Sequence, residues 1–342
     1  MLDFLTGRKN GDRAEAADAD PAPPRRPTIG LALGGGAARG FAHIGVIRAL
    51  VSKGLVPEVI AGTSIGAVAG GCYAAGHLDG FEEWALSLNG RNILGYLDIN
   101  LSGSGLIWGR RLAERLDRAF GNLLIDDLPA RFAAIATEIS TGHEIWLTRG
   151  RLADALRASY ALPGIFAPVP IGGRWLVDGT LVNPVPVSAA RALGARLVIG
   201  VNLNADLFGR GMTIASHGSD ADDASFYEDM GKRRGLRGLF GAEQILRRKY
   251  FGRAGRPGIS TVMIEAFNVM QDRITRSRLA GDPADVMINP QLGRIGLFEF
   301  HRAKEAIALG AEATERALEP LTDALAVLAS ASGVPSNGTA AG

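Results

Sequence analysis

The chain has 342 residues, 47% of them hydrophobic and 21% charged, with a net charge of +2 and a single cysteine, Cys72. This is ample material for a globular core, and the charge is too balanced for a surface that binds nucleic acid throughout. One cysteine excludes an intramolecular disulfide and fits a reducing compartment. With neither the run of about 18 apolar residues that a spanning helix needs nor the apolar centre of a secretory leader, the expected location is cytoplasmic.

Residues 1–27, dominated by Asp, Ala, Arg and Pro, predict a disordered leader. Order begins at Thr28–Leu33, an apolar run suited to a strand buried on both faces. It runs into Gly34-Gly35-Gly36-Ala37-Ala38-Arg39-Gly40, after which Phe41, Ile44, Ile47 and Val51 recur at helical spacing as far as a Gly54 cap. A second apolar run, Val56–Ala61, leads through Gly62-Thr63-Ser64-Ile65-Gly66 into a helix ending near Ala75. This βαβα opening predicts a parallel sheet with right-handed crossovers.

Helices are then expected over 81–88 and 109–120, with an irregular loop between them. Strands follow at 133–138 and 144–147, a helix over 152–160, and a short strand at 174–177 ending in Asp178-Gly179-Thr180. Pro184 and Pro186 open another helix, and 195–201 is an apolar strand. Residues 204–258 have weak periodicity and read as an insert. After it come a helix over 259–276, a strand at 285–288 and a long helix or helix pair over 298–328. The pattern implies one α/β domain, residues 28–329, carrying the insert, and a disordered tail over 330–342.

Two loops carry the chemistry. Ser64 follows an apolar strand between Gly62 and Gly66, the order of a serine on a sharp strand-to-helix turn. Alone the pattern is weak, since roughly 0.3 such matches arise by chance in a chain of this composition. The Gly34–Gly40 loop, between a strand and a helix, gathers backbone N–H groups into a nest for a phosphate or an oxyanion. Its glycines do not fit the dinucleotide spacing, and no Gly-Lys-Ser/Thr follows as in a Walker loop. Arg39 brings a cation that either holds this turn or assists anion binding. Both loops fall at the carboxyl ends of successive parallel strands, where open α/β sheets bind ligands. For a base, His217 and His301 follow in the order of an ordinary hydrolase triad but sit in no recognisable catalytic loop. Asp178, at a strand end, is better placed, although Asp-Gly also forms plain hairpin turns.

The loop Gly34–Gly40, the elbow Gly62–Gly66 and Asp178-Gly179, in this order, resemble the patatin-like phospholipases. Phe41-Ala42-His43-Ile44-Gly45-Val46 and Leu181-Val182-Asn183-Pro184-Val185-Pro186 are similar to the bacterial branch related to neuropathy target esterase. The resemblance covers about residues 28–202. It implies a three-layer α/β/α fold with a mainly parallel central sheet and a Ser–Asp dyad without histidine. Ser64 would be the nucleophile and Asp178 the base. Gly35, Gly36 and Ala37 would form the oxyanion hole, Arg39 would support the loop, and Gly62 and Gly66 would shape the elbow. The substrates implied are phospholipid, lysophospholipid or other fatty-acyl esters, with neither cofactor nor metal. Two departures stand out: Ala37 occupies a position where many members carry Gly, and Thr180 replaces the usual Gly or Ala after Asp-Gly.

The insert bears on substrate delivery. Lys232, Arg233, Arg234, Arg247, Arg248 and Lys249 crowd a stretch in which Leu239, Ala242, Leu246 and Tyr250 can share one helical face. A basic amphipathic segment of this kind suits an anionic membrane surface, and equally a solvated loop or a subunit contact. An acyltransferase using the same acyl-enzyme, and a lipid-binding scaffold with an idle site, are the other functions compatible with these motifs.

Overall fold

Ile29–Leu33 (β1) and Val59–Thr63 (β2) are buried at every position, as uninterrupted apolar runs require when a sheet is covered on both faces. The computed structural model describes residues 27–88, 110–207 and 259–331. Within it β1 and β2 lie at the centre of one eight-stranded sheet, joined by Arg131–Glu138 (β3), Glu144–Leu147 (β4), Val169–Ile171 (β5), Arg174–Asp178 (β6), Leu197–Val201 (β7) and Val286–Ile288 (β8). Strands β3, β2, β1, β7 and β8 run parallel in that order; β4 and β6 pair antiparallel with β3, and β5 antiparallel with β6.

Alternation along each strand feeds two apolar layers. Leu31, Leu33, Ile60 and Phe132 join a large cluster with helices α1 (Ala42–Ser52), α2 (Ile65–Ala74), α3 (Leu78–Ser87), α4 (Arg110–Phe120) and α5 (Leu152–Ser159). Ala32, Val59, Ala61 and Ile135 point the other way, toward α6 (Val187–Ala192) and Leu279 of α7 (Ile259–Gly281). The last two helices, α8 (Ala303–Arg316) and α9 (Leu318–Ala331), add to the first layer, and α8 lies so close on α1 that a Cβ on Gly45 or Gly310 would strike the facing backbone. The result is the three-layer α/β/α arrangement with a mainly parallel sheet.

One pairing detail positions the site. Ala134 and Ile135 of β3 pair with β2 on one edge and β4 on the other, while Ala136 and Thr137 pair with β4 and β6. Strands β2 and β6 therefore share an edge of β3 and run toward each other from opposite ends. Their carboxyl ends meet where Thr63 faces Ile135 and Asp178 faces Ala136.

Several elements differ from the sequence expectation. A 3-10 turn, Ala37–Phe41, separates the Gly-rich loop from α1, and another, Gly179–Leu181, follows Asp178 where a hairpin turn was the alternative. Strand β5 escapes the sequence patterns because it is three residues long and contains Pro170, which is tolerated at the margin of a sheet. The long C-terminal helix is a pair; Pro320 lies in the first turn of α9, the part of a helix that needs no proline N–H. Asn204, the first residue of the expected insert, is buried; residues 208–258 lie outside the described residues. The basic stretch with Lys232, Arg233, Arg234, Arg247, Arg248 and Lys249 lies outside the described residues, as do the leader and most of the tail. Among the described residues no helix is long and apolar enough to cross a membrane.

Candidate active site

Ser64 stands on a turn that an L-residue adopts only at a cost. Its φ of 56° and ψ of −125° make it, with Ala37, one of two non-glycine residues with positive φ among the described residues. Such a backbone costs about 1–2 kcal/mol. Hydrogen bonds to distant and neighbouring residues hold it. The Ser64 N–H donates to Ser159 Oγ at 2.9 Å, and that hydroxyl donates to Ile135 O at 2.6 Å, tying the elbow to the end of α5 and to β3. Ser64 O accepts from the N–H groups of Ala67 and Val68, which starts α2. Gly62 and Gly66 allow the helix to start this close to the strands, since a Cβ on Gly66 would collide with Leu33 O.

Asp178 arrives from the opposite direction on β6. Its backbone is fixed by its own N–H to Ala161 O at 3.0 Å and by Thr137 Oγ1 donating to its carbonyl at 2.9 Å. The residue is 2% exposed. Oδ1 accepts from the Thr180 N–H at 2.8 Å and the Thr180 hydroxyl at 2.7 Å; Oδ2 accepts from Ser64 Oγ at 2.7 Å. Burial pushes the carboxyl up to about 6, against the pull of the Thr180 and Ser64 hydrogen bonds. A serine hydroxyl donating to a desolvated carboxylate near neutrality is a pair in which the proton can pass to the carboxylate as the oxygen attacks an electrophile.

The Gly-rich loop lies against this pair. A Cβ on Gly35 would come within 3.4 Å of Ser64 Cβ. The N–H of Gly35, expected to serve an oxyanion, is instead given to Pro184 O at 3.1 Å, because the loop closes onto the 181–186 segment. Among the described residues the N–H groups of Gly36 and Ala37 have no acceptor, and both residues line the cavity beside Ser64. Ala37 reaches this arrangement at φ 48°, in the left-handed region that glycine enters freely.

Arg39, 5% exposed, turns away from the nest. Its Nε donates to Ile295 O at 2.7 Å and its Nη1 to Asn204 Oδ1 at 3.1 Å. Burial works against its charge, and Asp206 and Glu265 support it. Of the two roles the sequence leaves open for Arg39, these contacts match the one that holds the loop. Asn204 carries the tie further, donating to Gly35 O at 3.4 Å and Gln271 Oε1 at 3.2 Å. Beneath the loop, His43 Nε2–H donates to Gly34 O at 2.7 Å. Full burial drives this imidazole down to about 4, so it is neutral at physiological pH.

Ser64, Asp178, Gly36 and Ala37 all border one cavity of about 120 Å³. Its remaining wall is almost wholly apolar, with Phe41, Trp84, Leu116, Phe166 and Phe300 among the lining side chains. Among the described residues no group of three His, Cys, Asp or Glu side chains is placed to hold a metal ion. His301 is exposed on a 3-10 turn, and His217 lies outside the described residues.

Ser159, Asn204 and His43 were not legible as site residues. For Ser159 a signal existed: it continues the Leu152–Leu156 face of α5, where a hydroxyl in a buried register needs a partner.

The family model described as patatin-like phospholipase matches residues 31–191. An NTE family protein of Mycobacterium tuberculosis is 36% identical over 337 residues, covering 86% of this chain and 92% of its own. The chain belongs to the patatin-like phospholipase family. Within this family, a lysophospholipase of Yarrowia lipolytica is 35% identical over 179 residues, 51% of this chain and 12% of that protein. Among solved structures, VipD from Legionella pneumophila aligns over 91% of this patatin-like chain and 82% of its own, at 13% identity and a TM-score of 0.34.

Proposed function

We propose that this patatin-like chain is a serine hydrolase of lipid carboxylic esters, a phospholipase A, lysophospholipase or carboxylesterase, working through a Ser64–Asp178 dyad. The observation that carries the reading is the 2.7 Å hydrogen bond from Ser64 Oγ to a buried carboxylate at the edge of an apolar cavity. Lipid esters suit that cavity, whose wall is almost wholly apolar beside the Ser64–Asp178 pair. The family's name, and the name lysophospholipase borne by the Yarrowia relative, favour the same substrate class.

The geometry supports the following steps. Asp178 accepts the Ser64 proton as Oγ bonds to the ester carbonyl carbon, and the carbonyl oxygen becomes an oxyanion that the amides of Gly36 and Ala37, on the same cavity wall, would receive. Donors aimed at such an oxygen each lower the barrier by about 3 kcal/mol. The proton then passes from Asp178 to the departing alcohol or lysolipid as the C–O bond breaks, leaving an acyl-enzyme on Ser64. A water, deprotonated by Asp178, attacks the acyl carbon, and collapse returns the proton to Oγ with release of the fatty acid. Because the base is a carboxylate held near 6, activity rises as pH passes upward through about 6 and levels off above it.

A fluorophosphonate probe tests the nucleophile. The wild type is expected to be labelled and Ser64→Ala is not; labelling of both, or of neither, overturns the reading.

A further inference from the structure

We propose that Thr180 is a positioning residue for this reaction: its hydroxyl holds Asp178 with Oδ2 toward Ser64 and sets how strong a base that carboxylate is. The inference rests on the dyad reading above.

The geometry divides the carboxylate between two tasks. Oδ1 is saturated by Thr180, which gives it both its N–H at 2.8 Å and its hydroxyl at 2.7 Å. Oδ2 is left with Ser64 Oγ at 2.7 Å. A backbone N–H alone leaves the χ2 torsion of an aspartate broad; a second donor on the same oxygen fixes the plane. The Thr180 methyl points the other way, onto the oxyanion loop, where a Cβ on Gly35 would collide with Thr180 Cγ2. Thr180 therefore bridges base and loop, through its hydroxyl on one side and its methyl on the other, and is itself fully buried.

The hydroxyl also opposes burial. The Asp178 carboxyl is raised by desolvation and lowered by three hydrogen bonds, two of them from Thr180. Charged neighbours on the surrounding elements are engaged elsewhere. Arg39 of the loop is turned to Ile295 O and Asn204, and Glu138 of β3 is bound to Arg174, Thr141 and Ser140. On α5 Arg157 pairs with Asp154, and on α7 Arg276 pairs with Asp272 and Arg278 with Glu144. The hydroxyl is thus the adjustable part of this environment: without it the charged form loses a stabilising donor and the carboxylate protonates at higher pH.

Two substitutions separate the two arms. Thr180→Val keeps the shape and the methyl on Gly35 but removes the donor; Thr180→Ser keeps the donor and removes the methyl. With a chromogenic butyrate ester, the acid limb of kcat/KM against pH is expected to move upward by about half a unit to one unit in Thr180→Val. In Thr180→Ser it is expected to stay at the wild-type position. An unmoved limb in Thr180→Val, or an equal shift in Thr180→Ser, overturns the proposal. Should valine prevent folding, Thr180→Ala set against Thr180→Ser, two variants that both lack the methyl, isolates the hydroxyl instead. Carbon-13 titration of the Asp178 carboxyl, assigned by its loss in Asp178→Asn, reads the same shift without turnover. A wild type lacking esterase activity would therefore defeat the dyad reading while the carboxyl titration still decides the role of Thr180.

Discussion

The parallel and antiparallel parts of the sheet contribute to the site in different ways. From the parallel part come the amides of Gly36 and Ala37, without an acceptor among the described residues, and the hydroxyl of Ser64, on two consecutive strand-to-helix crossovers, each with a residue held at positive φ. From the antiparallel part comes Asp178, 114 residues beyond Ser64, on a strand that meets β2 end to end along the same edge of β3. The first contribution is built by local backbone geometry, the second by strand register. A one-residue slip of β6 on β3 would turn the Asp178 side chain to the other face of the sheet and dissolve the pair without touching the elbow.

The largest effect is expected from removing the antiparallel contribution. Asp178→Asn is predicted to lower turnover on the order of 10³-fold, as loss of a general base does. The same change should stabilise the fold. With a folded pKa of about 6, above the unfolded value, the wild-type carboxyl contributes most below about pH 4, and its stabilisation is lost as pH rises to 6. The amide of the variant carries no such penalty, so urea unfolding should show a gain growing from pH 4 to 6 and saturating above it, on the order of 3 kcal/mol. On the parallel side His43 has the opposite sign: its folded pKa of about 4 lies below the unfolded one, so its contribution is complete above about pH 6.5 and lost as pH falls to 4. Replacing Asp178 therefore uncovers a steeper rise of stability with pH. A variant with the wild-type slope would show that the carboxyl is not held neutral by burial.

Gly66→Ala attacks the parallel contribution instead. The new methyl would meet Leu33 O, a backbone atom that cannot move aside, and the expected cost is about 3 kcal/mol, read as a lowered denaturant midpoint. If the variant unfolds like the wild type, the close approach of α2 to β1 is not what the elbow glycine is for.

The difference between the two parts also accounts for what could be read from the sequence. Apolar runs bounded by glycines announce β1, β2 and their crossovers, because turn chemistry and burial on both faces are local properties. Residues 174–177 were legible as a strand but its partner was not: pairing with β3 is set by the fold of the intervening chain. The bond from the Gly35 amide to Pro184 O was hidden for the same reason, its acceptor lying in a distant segment of the chain. Thr180 was visible only as a departure from the family pattern; that its hydroxyl reaches Oδ1 follows from the 3-10 turn starting at Gly179.

Ser159→Ala tests the tie between the two parts at the elbow itself. It removes the acceptor of the Ser64 N–H and the donor to Ile135 O, leaving a buried N–H without a partner at a cost of about 1–3 kcal/mol. The elbow loses its hold on β3, so kcat is expected to fall about tenfold with KM little changed, and Ser159→Thr to restore it. Equal loss in the threonine variant would mean that space, not the hydroxyl, matters at this position.

The smallest change expected is at Ala37, and its sign is informative. An alanine at φ 48° costs about 1 kcal/mol over glycine, whereas glycine costs roughly half that in unfolded-chain entropy. Ala37→Gly should therefore stabilise the protein by about 0.5 kcal/mol, or leave it unchanged within error. The freed loop, however, has lost the restriction on the Ala37 backbone, so kcat should not rise with stability. A variant both more stable and faster would show that the alanine is a plain defect. One that is more stable and slower would show that the strained residue on the parallel side aims its amide, as Thr180 aims the carboxylate on the other.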